Sequence, residues 1–178
     1  MARAAKLDLR TFQRELATRL ASKTAAQVEQ SRLGLACAGA QWLIRLSDAG
    51  EVVAVPPIAP VPLTKSWYLG IANIRGNLYG VIDFAGFLAK PLGAAATISG
   101  TSPVRLVLFG PRVGELRAGL VVQRVLGLRN LAELTPCDPE ENAPRWYGPR
   151  WTDPALGVWQ EINLALLAQD PAFLQVGL

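Results

Sequence analysis

The sequence contains no histidine. That absence excludes a Ser-His-Asp or Cys-His nucleophile system, histidine ligation of a metal, and any role as a histidine phosphodonor. Cysteine is nearly missing as well. Cys37 and Cys137 stand far apart without CxxC spacing, so neither a zinc site nor a disulfide framework is indicated, and a reducing, cytoplasmic location is expected. Charged residues make up only 18% of the chain and hydrophobic ones 51%, a balance that places much of it in core or in apolar contact surface. Long apolar runs are lacking: the longest uncharged stretch, Pro91 to Val104, is 14 residues of mostly Gly, Ala, Ser and Thr, short of a membrane-spanning helix. The basic start, Met1 to Lys6, leads into an amphipathic segment rather than the apolar stretch of a secretory signal, so export is not expected. GxxxxGK[ST] and GxGxxG phosphate-binding loops are also missing.

What is present is a chain of 178 residues, long enough for one well-buried core or two small interlocked ones. The net charge of +4 is confined to its start: residues 1–23 hold six basic and two acidic side chains, and residues 24–178 hold twelve of each sign. A nucleic-acid footprint is a basic stripe on the folded body, and this body is neutral.

Residues 1–30 read as an N-terminal amphipathic helix and connector, and residues 31–178 as the β-rich body. Asp8 caps the helix, Leu7 and Phe12 have the spacing of a hydrophobic staple, and Leu9, Phe12, Leu16 and Leu20 share one narrow stripe. The stripe is read as docking on the protein's own body, with a partner or an anionic membrane surface as alternatives. From there the period shortens to two. Strands are expected at Arg32–Cys37, Gln41–Ser47, Val52–Val55, Leu69–Arg75, Leu78–Asp83, Val104–Phe109 and Leu116–Leu128, the hairpin between the fourth and fifth turning at Gly76-Asn77. Pro56 to Pro62 carries four prolines and reads as an extended crossing segment, with Pro57-x-x-Pro60 as a polyproline ligand the alternative. Asp83 begins a short helical turn, Leu92–Ser102 is a surface loop, and Thr135–Pro154 is a long aromatic-rich loop. Trp159–Leu167 passes from strand to a closing helix that ends near Asp170-Pro171.

No set of side chains assembles into an active site. Asp138, Glu140 and Glu141 are a solvated acidic turn in preference to a calcium site, Asp83 a helix cap in preference to a catalytic carboxylate, and Cys37 a small buried hydrophobe. Trp146, Tyr147 and Trp151, interleaved with Arg145 and Arg150, form either an aromatic lid or a base-stacking platform.

The stretch Thr64 to Phe84 contains Gly70, an aliphatic run, Asn73-Ile74-Arg75-Gly76, a strand, and Val81-Ile82-Asp83-Phe84. In this order it resembles the signature of the CheW family of chemotaxis adaptors. Trp42 to Val52, with Glu51, resembles the family's second strand and the turn after it, and Gly119 to Val125 resembles a segment of its second half. Gln123 and Asn163 stand where the family commonly has Asp. The amphipathic start and the aromatic-rich end are similar to the PilI-type branch, which serves type IV pilus twitching motility. The resemblance implies an all-β fold with helical additions: two interlocked five-stranded SH3/OB-like β-barrels, an N-terminal and a C-terminal helix. It implies no enzymatic activity, no cofactor and no metal. The implied partners are a methyl-accepting chemoreceptor, which brings the protein near the membrane, and a CheA-type histidine kinase, contacted through Glu51, Gly70, Asn73, Arg75 and Gly76. A nucleic-acid-binding OB- or SH3-like barrel is the alternative, and a small histidine-free enzyme a third reading.

Overall fold

The computed structural model describes residues 29–92 and 104–178. The expected N-terminal helix therefore lies outside the described residues, apart from Glu29 and Gln30, whose backbone is helical, and so does most of the Leu92–Ser102 loop. Eleven strands are described: β1 (Ser31–Cys37), β2 (Ala40–Arg45), β3 (Ala49–Ala54), β4 (Tyr68–Ile74), β5 (Asn77–Asp83), β6 (Arg105–Phe109), β7 (Ala118–Val122), β8 (Arg124–Asn130), β9 (Thr135–Cys137), β10 (Tyr147–Asp153) and β11 (Gly157–Ile162). Three helices accompany them, α1 (Phe84–Leu92), α2 (Leu164–Leu167) and α3 (Pro171–Leu174). None of the described helices is long and apolar enough to cross a membrane.

The strands make two sheets, one in the order β8-β1-β2-β11-β10-β9 and the other in the order β3-β6-β7-β5-β4. Each contains one parallel pair, β2 with β11 and β5 with β7. The five-stranded sheet is built from one continuous stretch, β3 to β7, set between β2 and β8 of the six-stranded one. The architecture is the mostly β, two-barrel fold expected, with one barrel of six strands instead of five.

Three local expectations are corrected. Leu116–Leu128 is not one strand: the chain leaves the five-stranded sheet at Val122, passes Gln123 and enters the six-stranded sheet at Arg124. Thr135–Pro154 is not simply a loop. It supplies β9 and β10, whose Pro, Gly and Arg content hides them: β9 is an edge strand and Pro149 of β10 falls where its register against β11 shifts, the two settings in which a sheet tolerates proline. Asp170-Pro171 starts a helix instead of ending one: the Asp170 carboxylate accepts from the amides of Ala172 and Phe173 and Pro171 takes the first helical position.

The near-continuous apolar strands are explained by burial on both faces. Leu43 of β2 points into the six-stranded barrel with Trp159 and Leu134, while its neighbours Trp42 and Ile44 point out of it. In β6, Leu106 and Leu108 fill the five-stranded barrel with Val81 and Val121, while Val107 and Phe109 point out. These outward-facing residues meet α1, α2 and α3 in the largest core cluster, which lies between the barrels. Rings dominate it. Trp42 packs edge-on to Phe84 (5.3 Å between centroids) and Tyr147 (5.6 Å) and stacks on Trp146, and Phe87 links Trp146 to Trp67 and Phe173. The indole N–H of Trp42 donates to the Cys37 carbonyl, so the buried ring has its polar atom satisfied.

A buried ion cluster ties the six-stranded sheet together. Glu161 of β11 is 2% exposed, and its Oε1 lies 3.2 Å from both Arg32 Nε of β1 and Arg45 Nε of β2. Removing Glu161 would strand the buried Arg32, while Arg45, its side chain 47% exposed, keeps its access to water, so this cluster constrains register more than it adds stability.

Trp42→Ala is expected to lower the unfolding free energy by about 4 kcal/mol, as for other buried aromatic truncations. Urea denaturation followed by far-UV circular dichroism measures it; a loss below about 1 kcal/mol would show that the inter-barrel core is not what holds the fold together.

Candidate partner-binding surface

The hairpin β4–β5 turns at Arg75-Gly76, one residue earlier than expected, because Ile74 pairs with Asn77. Arg75 (φ 51°) and Gly76 (φ 83°) both have positive φ, as a type I′ turn requires. The Asn73 side-chain oxygen accepts from the Gly76 amide at 2.8 Å and braces the turn, which is why a non-glycine residue is held in the left-handed region at Arg75.

From this turn Arg75 reaches across to the edge strand at the far end of the sheet order. Its guanidinium donates to the Glu51 carboxylate of β3 at 2.6 Å, so the pair bridges the seam at which the five-stranded sheet closes on itself. Both side chains remain in solvent, 76% and 47% exposed. The structure thus brings together Glu51, Asn73, Arg75 and Gly76 on one exposed edge. Gly70 is not part of that group. It is buried with φ 131°, and a Cβ there would meet the Ala59 carbonyl oxygen at 2.1 Å. Its missing side chain admits the chain's own proline-rich segment, which pairs with β4 through two backbone bonds between Ala59 and Ile71 and covers that sheet edge.

Beside the hairpin an apolar groove of about 220 Å³ is lined by Tyr68, Ile82, Leu116, Phe173, Leu174 and Val176, with Gly80, Arg117 and Ala118 completing it. Arg117 donates to the Asn77 side chain at 2.9 Å, joining groove and hairpin. Leu174 on the rim is 50% exposed. The last residues are positioned here by backbone bonds from Lys65 to Val176 and from Leu178 to Leu63. The sequence reading missed this groove, since its walls come from β4, β5, the β6–β7 connection and the C-terminal residues, and no single segment carries a signal for it.

The other residues singled out in the sequence have structural work. Asp83 accepts from the amides of Ala85 and Gly86 at the start of α1, and burial raises its carboxyl above the usual range. The Cys37 thiol is pushed up to about 12 by burial. Trp146 is 2% exposed and sits in the inter-barrel core, not on a stacking platform. Asn163 caps α2 by accepting from the Leu166 amide, a task Asn performs as well as Asp. Asp138, Glu140 and Glu141 are all exposed in the connection between β9 and β10.

Two substitutions separate structural from surface roles. Gly70→Ala is expected to cost about 2–3 kcal/mol, since the proline-rich segment must be displaced and a side chain held at strained φ. Arg75→Gly relieves the left-handed strain and deletes an exposed ion pair, so it is expected to change stability by less than about 1 kcal/mol in either direction. Thermal melts of both variants check this; equal losses would contradict it.

Comparison with known proteins agrees with this architecture. The family model described as CheW-like domain matches residues 32–144, from β1 to the connection after β9. Over 117 residues the chain is 31% identical to PilI of Pseudomonas aeruginosa, covering 66% of this chain and 62% of that protein. Over 88 residues it is 34% identical to FrzA of Myxococcus xanthus, covering 48% of this chain and 51% of that one. The chain thus spans less than two thirds of the length of either relative. The crystal structure of the scaffolding protein TtCheW from Thermoanaerobacter tengcongensis superposes with a TM-score of 0.60 at 20% identity, covering 75% of this chain and 88% of that one, a likeness of fold. The likeness to PilI supports the PilI-type branch, and the match across residues 32–144 makes this chain a member of the CheW-like domain family.

Proposed function

We propose that this protein is a cytoplasmic adaptor without catalytic activity of its own, which couples a methyl-accepting chemoreceptor to a CheA-type histidine kinase in control of type IV pilus twitching motility. The observation that carries this reading is an apolar groove open to solvent beside an exposed charged hairpin, in a CheW-like domain. A receptor tip is a helical hairpin. The apolar face of one helix seats on Tyr68, Leu116, Leu174 and Val176, and the polar edge at Glu51, Asn73 and Arg75 sets its register. The ion pair Arg75–Glu51 is short and solvated, so a partner carboxylate can replace Glu51 at the guanidinium without leaving a buried charge unpaired. Exposed Leu156 and Val158, at the β10–β11 end of the six-stranded barrel, leave a second apolar surface for the kinase regulatory domain.

Capture from a lysate of the source organism, with the purified protein as bait and mass spectrometry as readout, tests this. Wild type is expected to recover a chemoreceptor and a CheA-type kinase. Leu174→Asp and Arg75→Ala are expected to lower receptor recovery roughly tenfold, the effect of losing an interface contact worth about 1.4 kcal/mol, with melting temperatures little changed. Recovery of neither protein, with nucleic acid retained instead, would replace the adaptor reading by that of a nucleic-acid-binding barrel.

A further inference from the structure

At the β10–β11 end of the six-stranded barrel lies a hollow of about 450 Å³, which shares no lining residue with the apolar groove. Its size falls within the roughly 300–1,000 Å³ of small-molecule sites. One row of its lining crosses three strands: Arg150 of β10 pairs with Gln160 of β11, and Gln160 with Trp42 of β2. Tyr147, whose ring packs edge-on to that of Trp42, also lines it, as do the exposed Leu156 and Val158. Gln41 Nε2 donates to the Leu156 carbonyl at 2.8 Å and so latches the β10–β11 turn to β2.

Three buried polar atoms on residues lining this hollow have no hydrogen-bond partner: Gln41 Oε1, Gln160 Oε1 and Arg150 Nε. The orientation of each amide is fixed by its nitrogen. Gln160 is 7% exposed, and its Nε2 donates to the carbonyls of Gly148 at 2.8 Å and Glu161 at 3.0 Å, which leaves the oxygen as the open atom. Turning that amide over would set its oxygen against two carbonyls, and turning Gln41 over would set its oxygen against the Leu156 carbonyl. Buried acceptors without a donor are rare in folded proteins and call for a group from outside the chain.

The charges at the hollow are open as well. Neither Arg150 nor Glu140 makes an ion pair among the described residues. Both act on the Tyr147 hydroxyl: burial and the Glu140 charge push it up to about 12, and the Arg150 charge pulls the other way. The phenol therefore keeps its proton near neutral pH and stays a donor. The hollow thus offers a guanidinium and a phenol proton to a carboxylate, and two amide oxygens and Glu140 to an ammonium group. A ligand with only a negative charge would leave both amide oxygens without a donor, and one with only a positive charge would face Arg150 unscreened.

We propose that this hollow binds a free α-amino acid with an apolar side chain: the carboxylate on Arg150 and Tyr147, the ammonium group on Gln41, Gln160 and Glu140, and the side chain against Leu156 and Val158. Binding stands without any protein partner. Its consequence rests on the adaptor function proposed above: Leu156 and Val158 also form the surface assigned there to the kinase regulatory domain, so amino acid and kinase exclude each other.

Titration of the isotope-labelled full-length chain with L-leucine, followed by NMR, reads binding without a partner. Saturable shifts are expected at the side-chain amides of Gln41 and Gln160 and at the backbone amides of Tyr147, Arg150 and residues 156–160, and not in β4 or β5. Isocaproate, which is leucine without the amino group, and isoamylamine, which is leucine without the carboxylate, are each expected to bind roughly tenfold more weakly, the loss of one charge-assisted contact. Arg150→Gln and Gln160→Leu are expected to weaken leucine by a similar factor. Glu140→Gln, at an exposed position that leaves the fold alone, is expected to weaken it severalfold. Absence of saturable shifts at these positions overturns the proposal. So does equal affinity for leucine and either analogue, which makes the hollow a site for a single charge, and so does unchanged affinity in both Arg150→Gln and Glu140→Gln. With binding established, saturating leucine is expected to lower severalfold the CheA-type kinase captured from lysate. Equal capture with and without leucine would refute the exclusion and keep the site. Capture of no kinase in either case would count against the adaptor function, and the titration would still decide the amino-acid site.

Discussion

The aromatic contact of Trp42 with Phe84, Trp146 and Tyr147 is the constraint on which the rest of the molecule depends. Neither barrel has much of an interior. The five-stranded one is filled by Ala72, Val81, Leu106, Leu108 and Val121, and the six-stranded one by Leu43, Leu134 and Trp159, each with a ring of half-buried neighbours. Closed barrels of this size leave room for little more. Most of the fully buried area instead lies where the two outer faces meet around the rings, and burial there, at about 25 cal/mol per Å² of apolar surface, is the dominant favourable contribution. The helices contribute Phe84, Phe87, Leu164, Leu167 and Phe173 to the same place. The groove exists because Phe173 is held in that cluster, which fixes Leu174 and Val176 against β5 and β7.

This division of labour suits the adaptor role proposed above. The inter-barrel core holds the two barrels in one relative position, and the surfaces they present need only be shaped and complementary. The charged edge is arranged with the same economy. Arg75 and Glu51 satisfy each other across the seam in solvent, so neither is an unpaired charge in a dry place, and the guanidinium remains available. Gly70 shows the opposite use of a signature residue, since its bare backbone serves internal packing against Ala59. A signature can therefore mix exposed residues with residues that hold the element carrying them in place.

Much of this was legible in the sequence, and the pattern of what was not has physical reasons. The β4–β5 hairpin is visible because Gly76-Asn77 punctuates two apolar runs, yet the turn's position within that signal depends on cross-strand pairing and on the Asn73 brace, which composition does not carry. The passage from β7 to β8 is invisible because both strands are apolar and only Gln123 separates them; which sheet each joins is decided by pairing with β5 and β6 or with β1. β9 and β10 escape because Pro136 stands on an edge strand and Pro149 at a register shift between β10 and β11, so neither proline breaks the sheet. The candidate residues gathered at the seam could be named from the resemblance, but the contact between Glu51 and Arg75 spans 24 positions and is a product of closure. The groove could not be named at all, being assembled from four separate segments.

The insertion of one barrel into the other bears on the order in which the protein can be completed as it is made. Every strand of the five-stranded sheet has left the synthetic machinery once Val122 has, whereas the six-stranded sheet needs β11, which ends at Ile162. At roughly 5–20 residues per second, forty further residues take about 2–8 s. Throughout that interval β2 has no parallel partner, and Val107, Phe109 and Leu120 lack the cover of Ile162, Leu164, Leu167 and Phe173. A nascent chain of this topology thus presents an apolar face for seconds before its own last strand arrives, which concentrates its risk of misassembly in translation.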